Sequence, residues 1–61
     1  ELKIGANSKL YQQVHIGENV EIGDDCIIYS GVKIYDDCII GNGCILQSGV
    51  IYKSNMIPPA G

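Results

Sequence analysis

Residues 22–32 read IGDDCIIYSGV, and residues 40–50 read IGNGCILQSGV. The two stretches begin 18 positions apart, and seven of their eleven aligned pairs are identical. An internal repeat of this kind is typical of solenoid folds, in which equivalent residues of successive turns stack on one another. At the inter-strand spacing of about 4.8 Å, residues 18 apart would lie directly above each other.

A shorter period of six residues, which we call a hexad, lies inside the longer one. An aliphatic residue recurs at every sixth position, and a smaller side chain follows four residues after it. Between them, three residues after the aliphatic position, comes Asn, Gln, Asp or Gly, a set dominated by types that tolerate a positive φ in a turn. The aliphatic positions are Ile4, Leu10, Ile16, Ile22, Ile28, Ile34, Ile40 and Leu46, and the smaller ones are Ser8, Val14, Val20, Cys26, Val32, Cys38, Cys44 and Val50.

This pattern predicts an all-β parallel β-helix of about three coils, with three hexads in each triangular coil. An α-helix has 3.6 residues per turn, so residues six positions apart would be spread around its circumference. The period of six therefore excludes an α-helix. Residues 18 apart then form columns: Gly5, Gly23 and Gly41 would mark a corner where a side chain clashes, and Tyr11 would stack on Tyr29. We expect the β-helix over residues 1–57 and a tail over residues 58–61, because prolines cannot donate a hydrogen bond to a further rung.

Composition and charge exclude several classes of function. The net charge is −3 and all four cations are Lys, which does not supply the basic, aromatic-interleaved surface that holds nucleic acid. Apolar runs are only a few residues long, far below the roughly 20 needed for a transmembrane segment. The chain opens on Glu1-Leu2-Lys3 without an initiator Met, so we expect a section of a longer, cytoplasmic protein without a signal peptide.

The hexads resemble the hexapeptide-repeat superfamily, which implies a left-handed parallel β-helix and a homotrimer. Within it, residues 16–26 and 34–51 are similar to the UDP-3-O-acylglucosamine N-acyltransferase family of lipid A biosynthesis. That resemblance implies transfer of a 3-hydroxyacyl chain from acyl carrier protein to the 2-amine of a UDP-sugar, with no cofactor. Handedness, trimer, acyl donor and acceptor all come from the resemblance.

Two departures from the family pattern limit what can be carried over. The family's catalytic base is a His followed by Asn, and no such pair occurs in this chain. The family's Gly-rich, aromatic loop is replaced by the divergent residues 52–61. We therefore assign no catalytic residue, leave the substrate-binding residues open, and expect this chain alone to be inactive.

The single histidine, His15, falls at an outward position of its hexad, in one column with Lys33 and Ile51. It could act as a general base or in an inter-subunit site, but the spacing supplies no partner carboxylate or nucleophile, which favours a solvated surface residue. A zinc site of three histidines is not readily supplied by one histidine per chain, even across a trimer. No metal site is therefore predicted.

The three cysteines, Cys26, Cys38 and Cys44, all fall on the small inward position, so packing explains them. Cys26 and Cys44 should stack within reach of a disulfide. Their odd number and the absence of an export signal favour reduced thiols.

Two acidic pairs, Asp24-Asp25 and Asp36-Asp37, look like paired carboxylates suited to metal binding or acid/base catalysis. Each pair occupies a corner, where solvated turn caps are the favoured role. Tyr11, Tyr29 and Tyr35 could stack on ligand rings, although lining a corner or a subunit contact is the commoner role of tyrosine.

Four isoleucines fall on outward positions, where apolar side chains should not face water. We predict that Ile27, Ile39, Ile45 and Ile51 contribute to a subunit interface, with Ile27 stacked over Ile45. Two alternatives to the N-acyltransferase stay open: another hexapeptide acetyltransferase using acetyl-CoA, and a non-catalytic, self-assembling β-helix module.

Overall fold

The computed structural model describes residues 2–55. In this range every hexad contributes one strand of two residues, and no helix occurs, hence none that could span a lipid bilayer. The strands are β1 (Lys3–Ile4), β2 (Lys9–Leu10), β3 (His15–Ile16), β4 (Glu21–Ile22), β5 (Ile27–Ile28), β6 (Lys33–Ile34), β7 (Ile39–Ile40), β8 (Ile45–Leu46) and β9 (Ile51–Tyr52).

The strands form three parallel sheets, because each pairs with the strand three places later in the chain. The sheets have the order β1-β4-β7, β2-β5-β8 and β3-β6-β9. In the first sheet Ile22 lies between Ile4 and Ile40, its partners 18 residues away on either side. The predicted parallel β-helix of about three coils is therefore confirmed.

We call the three sheets, in this order, face 1, face 2 and face 3. The turns that follow their strands are corner 1 (residues 5–7, 23–25 and 41–43), corner 2 (residues 11–13, 29–31 and 47–49) and corner 3 (residues 17–19, 35–37 and 53–55). Backbone hydrogen bonds join successive coils at the corners as well as along the faces. At corner 1, for example, the N–H of Asp25 donates to the carbonyl of Ala6 at 2.9 Å.

Each of the turns that form the corners contains one residue with a positive φ, at the hexad position where the sequence predicted it. Six of these residues are not glycine, and their φ values lie between 57° and 67°. Asn and Asp tolerate this left-handed conformation better than other non-glycine residues, and glycine adopts it without steric cost. The residues are Asn7, Gln13, Asn19, Asp25, Gly31, Asp37, Gly43, Gly49 and Asn55.

The core fills the middle of the coil with the two inward side chains of each hexad. Burial is lowest at the start of the described chain: Leu2 and Ile4 are 45% and 44% exposed, whereas Val20 and Ile22, one coil later, are 0% and 3% exposed. The ten buried side chains are Val20, Ile22, Cys26, Ile28, Val32, Ile34, Cys38, Ile40, Cys44 and Leu46.

The predicted columns are therefore present in the described part of the chain. The N–H of Ile27 donates to the carbonyl of Cys44 at 2.9 Å, and the N–H of His15 donates to that of Val32 at the same distance. These bonds set Cys26 beneath Cys44 and Val14 beneath Val32. The predicted boundary between residues 57 and 58, and the predicted role of Pro58 and Pro59, lie outside the described residues.

Candidate functional site

The carboxylate of Asp24 caps the coil that precedes it. Its Oδ1 accepts a hydrogen bond from the N–H of Ala6 at 2.8 Å, and the Oδ1 of Asn42 accepts one from the N–H of Asp24 at the same distance. Both bonds span 18 residues and run along corner 1. We call these side chains corner caps, because each satisfies a backbone donor of the neighbouring coil.

The corner caps explain the glycine column. A Cβ on Gly23 would meet the Oδ1 of Asn42, the backbone nitrogen of Asn42 at 2.8 Å and the carbonyl carbon of Gly41 at 2.9 Å. A Cβ on Gly5 would meet the Oδ1 of Asp24 in the same way. The predicted clash is present, and its cause is the capping side chain together with the close approach of the next coil.

Corner 3 repeats this arrangement with an aspartate. The Oδ1 of Asp36 accepts a hydrogen bond from the N–H of Glu18 at 2.8 Å, and Gly17 provides the space for it. The neighbouring Asp37 has a positive φ of 62°. Both acidic pairs thus have the predicted role at corners: one member caps the preceding coil, and the other makes the turn. Among the described residues, no three His, Cys, Asp or Glu side chains are grouped so that they could hold a metal ion.

Removing the cap at corner 3 should weaken the fold measurably. We expect Asp36→Ala to lower the free energy of unfolding by about 1 kcal/mol, the usual net value of one hydrogen bond. Asp36→Asn keeps the Oδ1 acceptor, as Asn42 does at corner 1, and should stay close to the parent chain. Urea unfolding followed by circular dichroism measures both variants. If both variants lost the same free energy of unfolding, the charge of Asp36 rather than its capping hydrogen bond would account for the stabilisation.

The cysteine thiols are also used by the fold. The Sγ of Cys26 donates to the carbonyl of Gly41 at 3.1 Å, and that of Cys38 donates to the carbonyl of Lys53 at 3.0 Å. Ser8, in the same column as Cys26, donates its hydroxyl to the carbonyl of Gly23 at 2.6 Å. All three cysteines are buried, as their inward position predicted, and the donor role of these side chains was not predicted. The shared spacing of 15 residues between donor and acceptor is the sequence signal for it.

His15 lies on the exposed surface of face 3, paired in register with Lys33 as predicted. Its ring contacts that of Tyr35, with centroids 5.4 Å apart and planes inclined by 55°. This contact was missed at the sequence level. Residues 15 and 35 differ by one coil and two positions, the spacing of a diagonal neighbour across strands, and that spacing could have indicated it.

The predicted tyrosine stack is present at corner 2. The rings of Tyr11 and Tyr29 are tilted by 35°, and their centroids lie 5.2 Å apart. Such offset arrangements are favoured over face-to-face stacking. The pair packs along the corner and leaves Tyr11 51% exposed.

The four outward isoleucines lie on three different faces. Ile27 and Ile45 are paired in register on face 2, whereas Ile39 follows Glu21 on face 1 and Ile51 follows Lys33 on face 3. Ile39 is 42% exposed, and Ile45 and Ile51 are each 54% exposed. Only Ile27 and Ile45 form a continuous strip.

Two surface cavities are present in the described part of the chain. The larger, of about 510 Å³, crosses the three coils along face 1 and contains Lys3, Glu21, Asp24 and Ile39 in its wall. The smaller, of about 480 Å³, is lined by Leu10, Tyr11, Gln12 and Ser30. Neither wall contains His15 or a cysteine, so neither cavity combines a nucleophile with an imidazole base.

A family model described as bacterial transferase hexapeptide (six repeats) matches residues 19–51, more than half of the chain. The chain belongs to the bacterial transferase hexapeptide family. The predicted membership of the hexapeptide-repeat superfamily is therefore confirmed. No curated protein and no solved structure matched the sequence.

The hexapeptide match coincides with the packed interior of the molecule. All ten buried core side chains lie within residues 19–51, while His15 and the first coil lie outside that range. The repeats by which this hexapeptide family member is recognised are thus the positions that build the coil. They are core and corner positions, and their chemistry serves packing and backbone capping.

Proposed function

We propose that this chain is the scaffold and self-association section of a hexapeptide acyltransferase. The observation that carries the proposal is the family match over residues 19–51, whose inward residues, apart from Val50, all belong to the buried core. The one histidine in the chain is exposed and contacts an aromatic ring, and the two acidic pairs serve the corners. The described residues therefore act as a rigid frame, and the reacting groups would be held by other parts of the enzyme.

For the activity of the whole enzyme we favour N-acyl transfer to a UDP-sugar. The resemblance of residues 16–26 and 34–51 to UDP-3-O-acylglucosamine N-acyltransferase supports this choice. In that reaction the sugar 2-amine attacks the thioester carbonyl of an acyl carrier protein, a His base removes the amine proton, and the carrier thiolate leaves. Because this chain has no His-Asn pair, its contribution would be to position other coils and subunits.

The proposed assembly is a homotrimer in the cytoplasm. Ile45 and Ile51, each 54% exposed in the single chain, support an interface, since burial in a subunit contact would remove them from water. The three buried thiols suit a compartment that keeps cysteines reduced.

A coil graft tests the proposed activity. Residues 16–51 make up two whole coils, so they can replace two coils of an active UDP-3-O-acylglucosamine N-acyltransferase without changing the register. We expect the hybrid to remain trimeric and to keep acyl transfer from 3-hydroxyacyl carrier protein within about tenfold of its parent, because the frame alone is exchanged. The chain by itself, assayed with the same donor and acceptor, should show no transfer.

Three outcomes would count against the proposal. Acyl transfer by the isolated chain would place catalytic groups within it. A trimeric hybrid without activity would favour the non-catalytic, self-assembling module, and a hybrid active only with acetyl-CoA would favour another hexapeptide acetyltransferase.

A further inference from the structure

The carboxylates of the described residues are confined to one side of the coil. They occupy corner 1, corner 3 and face 1, which lies between those two corners. On faces 2 and 3, and on corner 2 between them, no carboxylate occurs in the described part of the chain. The six carboxylates are Glu18, Glu21, Asp24, Asp25, Asp36 and Asp37.

Corner 2 differs from the other two corners in carrying no charge at all. Its three levels read Tyr-Gln-Gln in residues 11–13, Tyr-Ser-Gly in residues 29–31 and Gln-Ser-Gly in residues 47–49. The tyrosine rings stack along it, and Tyr11 is 51% exposed. This corner therefore presents aromatic, amide and hydroxyl groups to its surroundings.

The two faces that meet at corner 2 carry most of the outward apolar surface. Ile27 and Ile45 stack on face 2, and Ile51 ends the outward row of face 3. The rest of the two rows consists of Lys9 on face 2 and His15 and Lys33 on face 3. Lysine can extend its ammonium group to the solvent while its aliphatic stem covers apolar surface, so these cations are compatible with a contact.

We propose that corner 2 and the adjoining outward rows of faces 2 and 3 are the surface through which copies of this chain associate. The inference rests on the self-association in the proposed function and adds its location. Each chain carries a net charge of −3, so a contact through face 1, corner 1 or corner 3 would bring carboxylates of two copies together. Association through corner 2 keeps the acidic sides of the copies apart.

The same arrangement buries the side chains that are poorly placed in water. Ile45 and Ile51 are each 54% exposed in the single chain, and both adjoin corner 2. Successive coils are about 4.8 Å apart in every copy. Two copies whose β-helix axes are parallel can therefore make the same contact at each coil. A second copy is therefore the occupant that matches this surface in repeat, and its own corner 2 adds no carboxylate to the contact.

Two serines provide a matched test of the location. Ser48 lies on corner 2 and Ser54 on corner 3, and both are exposed. They occupy the same position of their hexads. In the preceding coil, the turn below Ser48 begins with Tyr29 and the turn below Ser54 begins with Tyr35. Within the chain, an aspartate at Ser54 follows Asp36 in its column, whereas one at Ser48 follows Ser30, so the cost to the fold should be the greater at the control position Ser54. A loss of association confined to Ser48→Asp therefore reports the contact between copies.

We expect Ser48→Asp to weaken self-association by about tenfold or more, because it places like charges together in a contact. Ser54→Asp should leave association unchanged. Sedimentation velocity gives the mass of each species relative to the 6.6 kDa chain, and circular dichroism checks that both variants fold. Recovery of the Ser48→Asp assembly at about 1 M salt, where the Debye length is about 3 Å, would further support the location.

The outcomes separate this inference from the proposed function. A parent chain that sediments as a monomer overturns both. A parent oligomer that is unaffected by Ser48→Asp, or that is dissociated by Ser54→Asp, overturns only the location. A second pair, Ile45→Lys on face 2 and Ile39→Lys on face 1, repeats the test at exposed strand positions. Dissociation by Ile45→Lys alone supports the location, and dissociation by Ile39→Lys alone overturns it.

Discussion

Replacing Gly23 by alanine is expected to lower the free energy of unfolding by about 3 kcal/mol, the upper part of the range for overpacking. The added methyl group would meet the backbone of the next coil, with the nitrogen of Asn42 at 2.8 Å and the carbonyl carbon of Gly41 at 2.9 Å. Backbone atoms cannot move aside as a flexible side chain can, so the two coils would have to separate. In a domain this small, such a loss is a large part of the total stability.

Two further variants test this explanation. Gly23→Ala combined with Asn42→Gly removes the side chain of Asn42, together with its capping bond, and keeps the backbone contact, so the double variant should be no more stable than Gly23→Ala. A rescue by Asn42→Gly would mean that the side chain of Asn42 causes the clash. Gly43→Asn is the control, because a Cβ there meets nothing within 4 Å and Asn already takes a positive φ at Asn7. We expect it to cost less than about 1 kcal/mol. Guanidinium unfolding gives all three values, and a Gly23→Ala midpoint equal to that of the parent would refute the close approach.

Truncating Ile28 to alanine should cost about 3 to 5 kcal/mol. The side chain is fully buried, and its strand pairs with those of Leu10 below and Leu46 above. The cavity would therefore open at the centre of the middle coil, where neighbouring coils are held by backbone hydrogen bonds and cannot collapse into it. We expect the variant to be largely unfolded at 25 °C or to unfold at a much lower denaturant concentration.

The matched control is Ile39→Ala. Ile39 is 42% exposed on face 1, away from corner 2, so its truncation should change the free energy of unfolding by less than about 1 kcal/mol. Circular dichroism during denaturant unfolding compares the two variants at one protein concentration. If Ile28→Ala and Ile39→Ala lost the same stability, the inward and outward assignment of the hexad would be incorrect.

The fold could be predicted to the level of single columns because a repeat constrains many positions at once. Seven identities between residues 22–32 and 40–50 determine the length of a coil, and the period of six gives the number of faces. From these two numbers follow the inward positions, the corner residues with positive φ and the stack of Tyr11 on Tyr29. Handedness is not contained in the period, and the resemblance supplied it.

The details that sequence reasoning missed are interactions between unlike residues. Gly23 was expected to mark a close approach, but the capping bond from Asp24 to Asn42 that fills the space was not. The contact of His15 with Tyr35 was missed for the same reason, because comparing residues 18 positions apart pairs each residue only with others in its own column. The positions of the four outward isoleucines on three faces do follow from the 18-residue period, and they show that only Ile27 and Ile45 can act as a strip.

A catalytic site could not be predicted because nearly every distinctive residue is accounted for by the coil. Cys26 and Asp36 belong to types that serve in catalysis, yet each satisfies a backbone group of the neighbouring coil. The imidazole ring of His15 contacts a phenol ring in the described region.

The stacking of each residue on its counterpart 18 positions away restricts how the length of such a chain can change. Deleting one hexad, for example residues 23–28, would slide every later strand onto a different sheet and place Tyr29 over Gly5. Deleting or duplicating 18 residues would instead preserve every column and remove or add one complete rung. Viable insertions and deletions within the strands should therefore come in whole coils, whereas additions that project from a corner would leave the register intact.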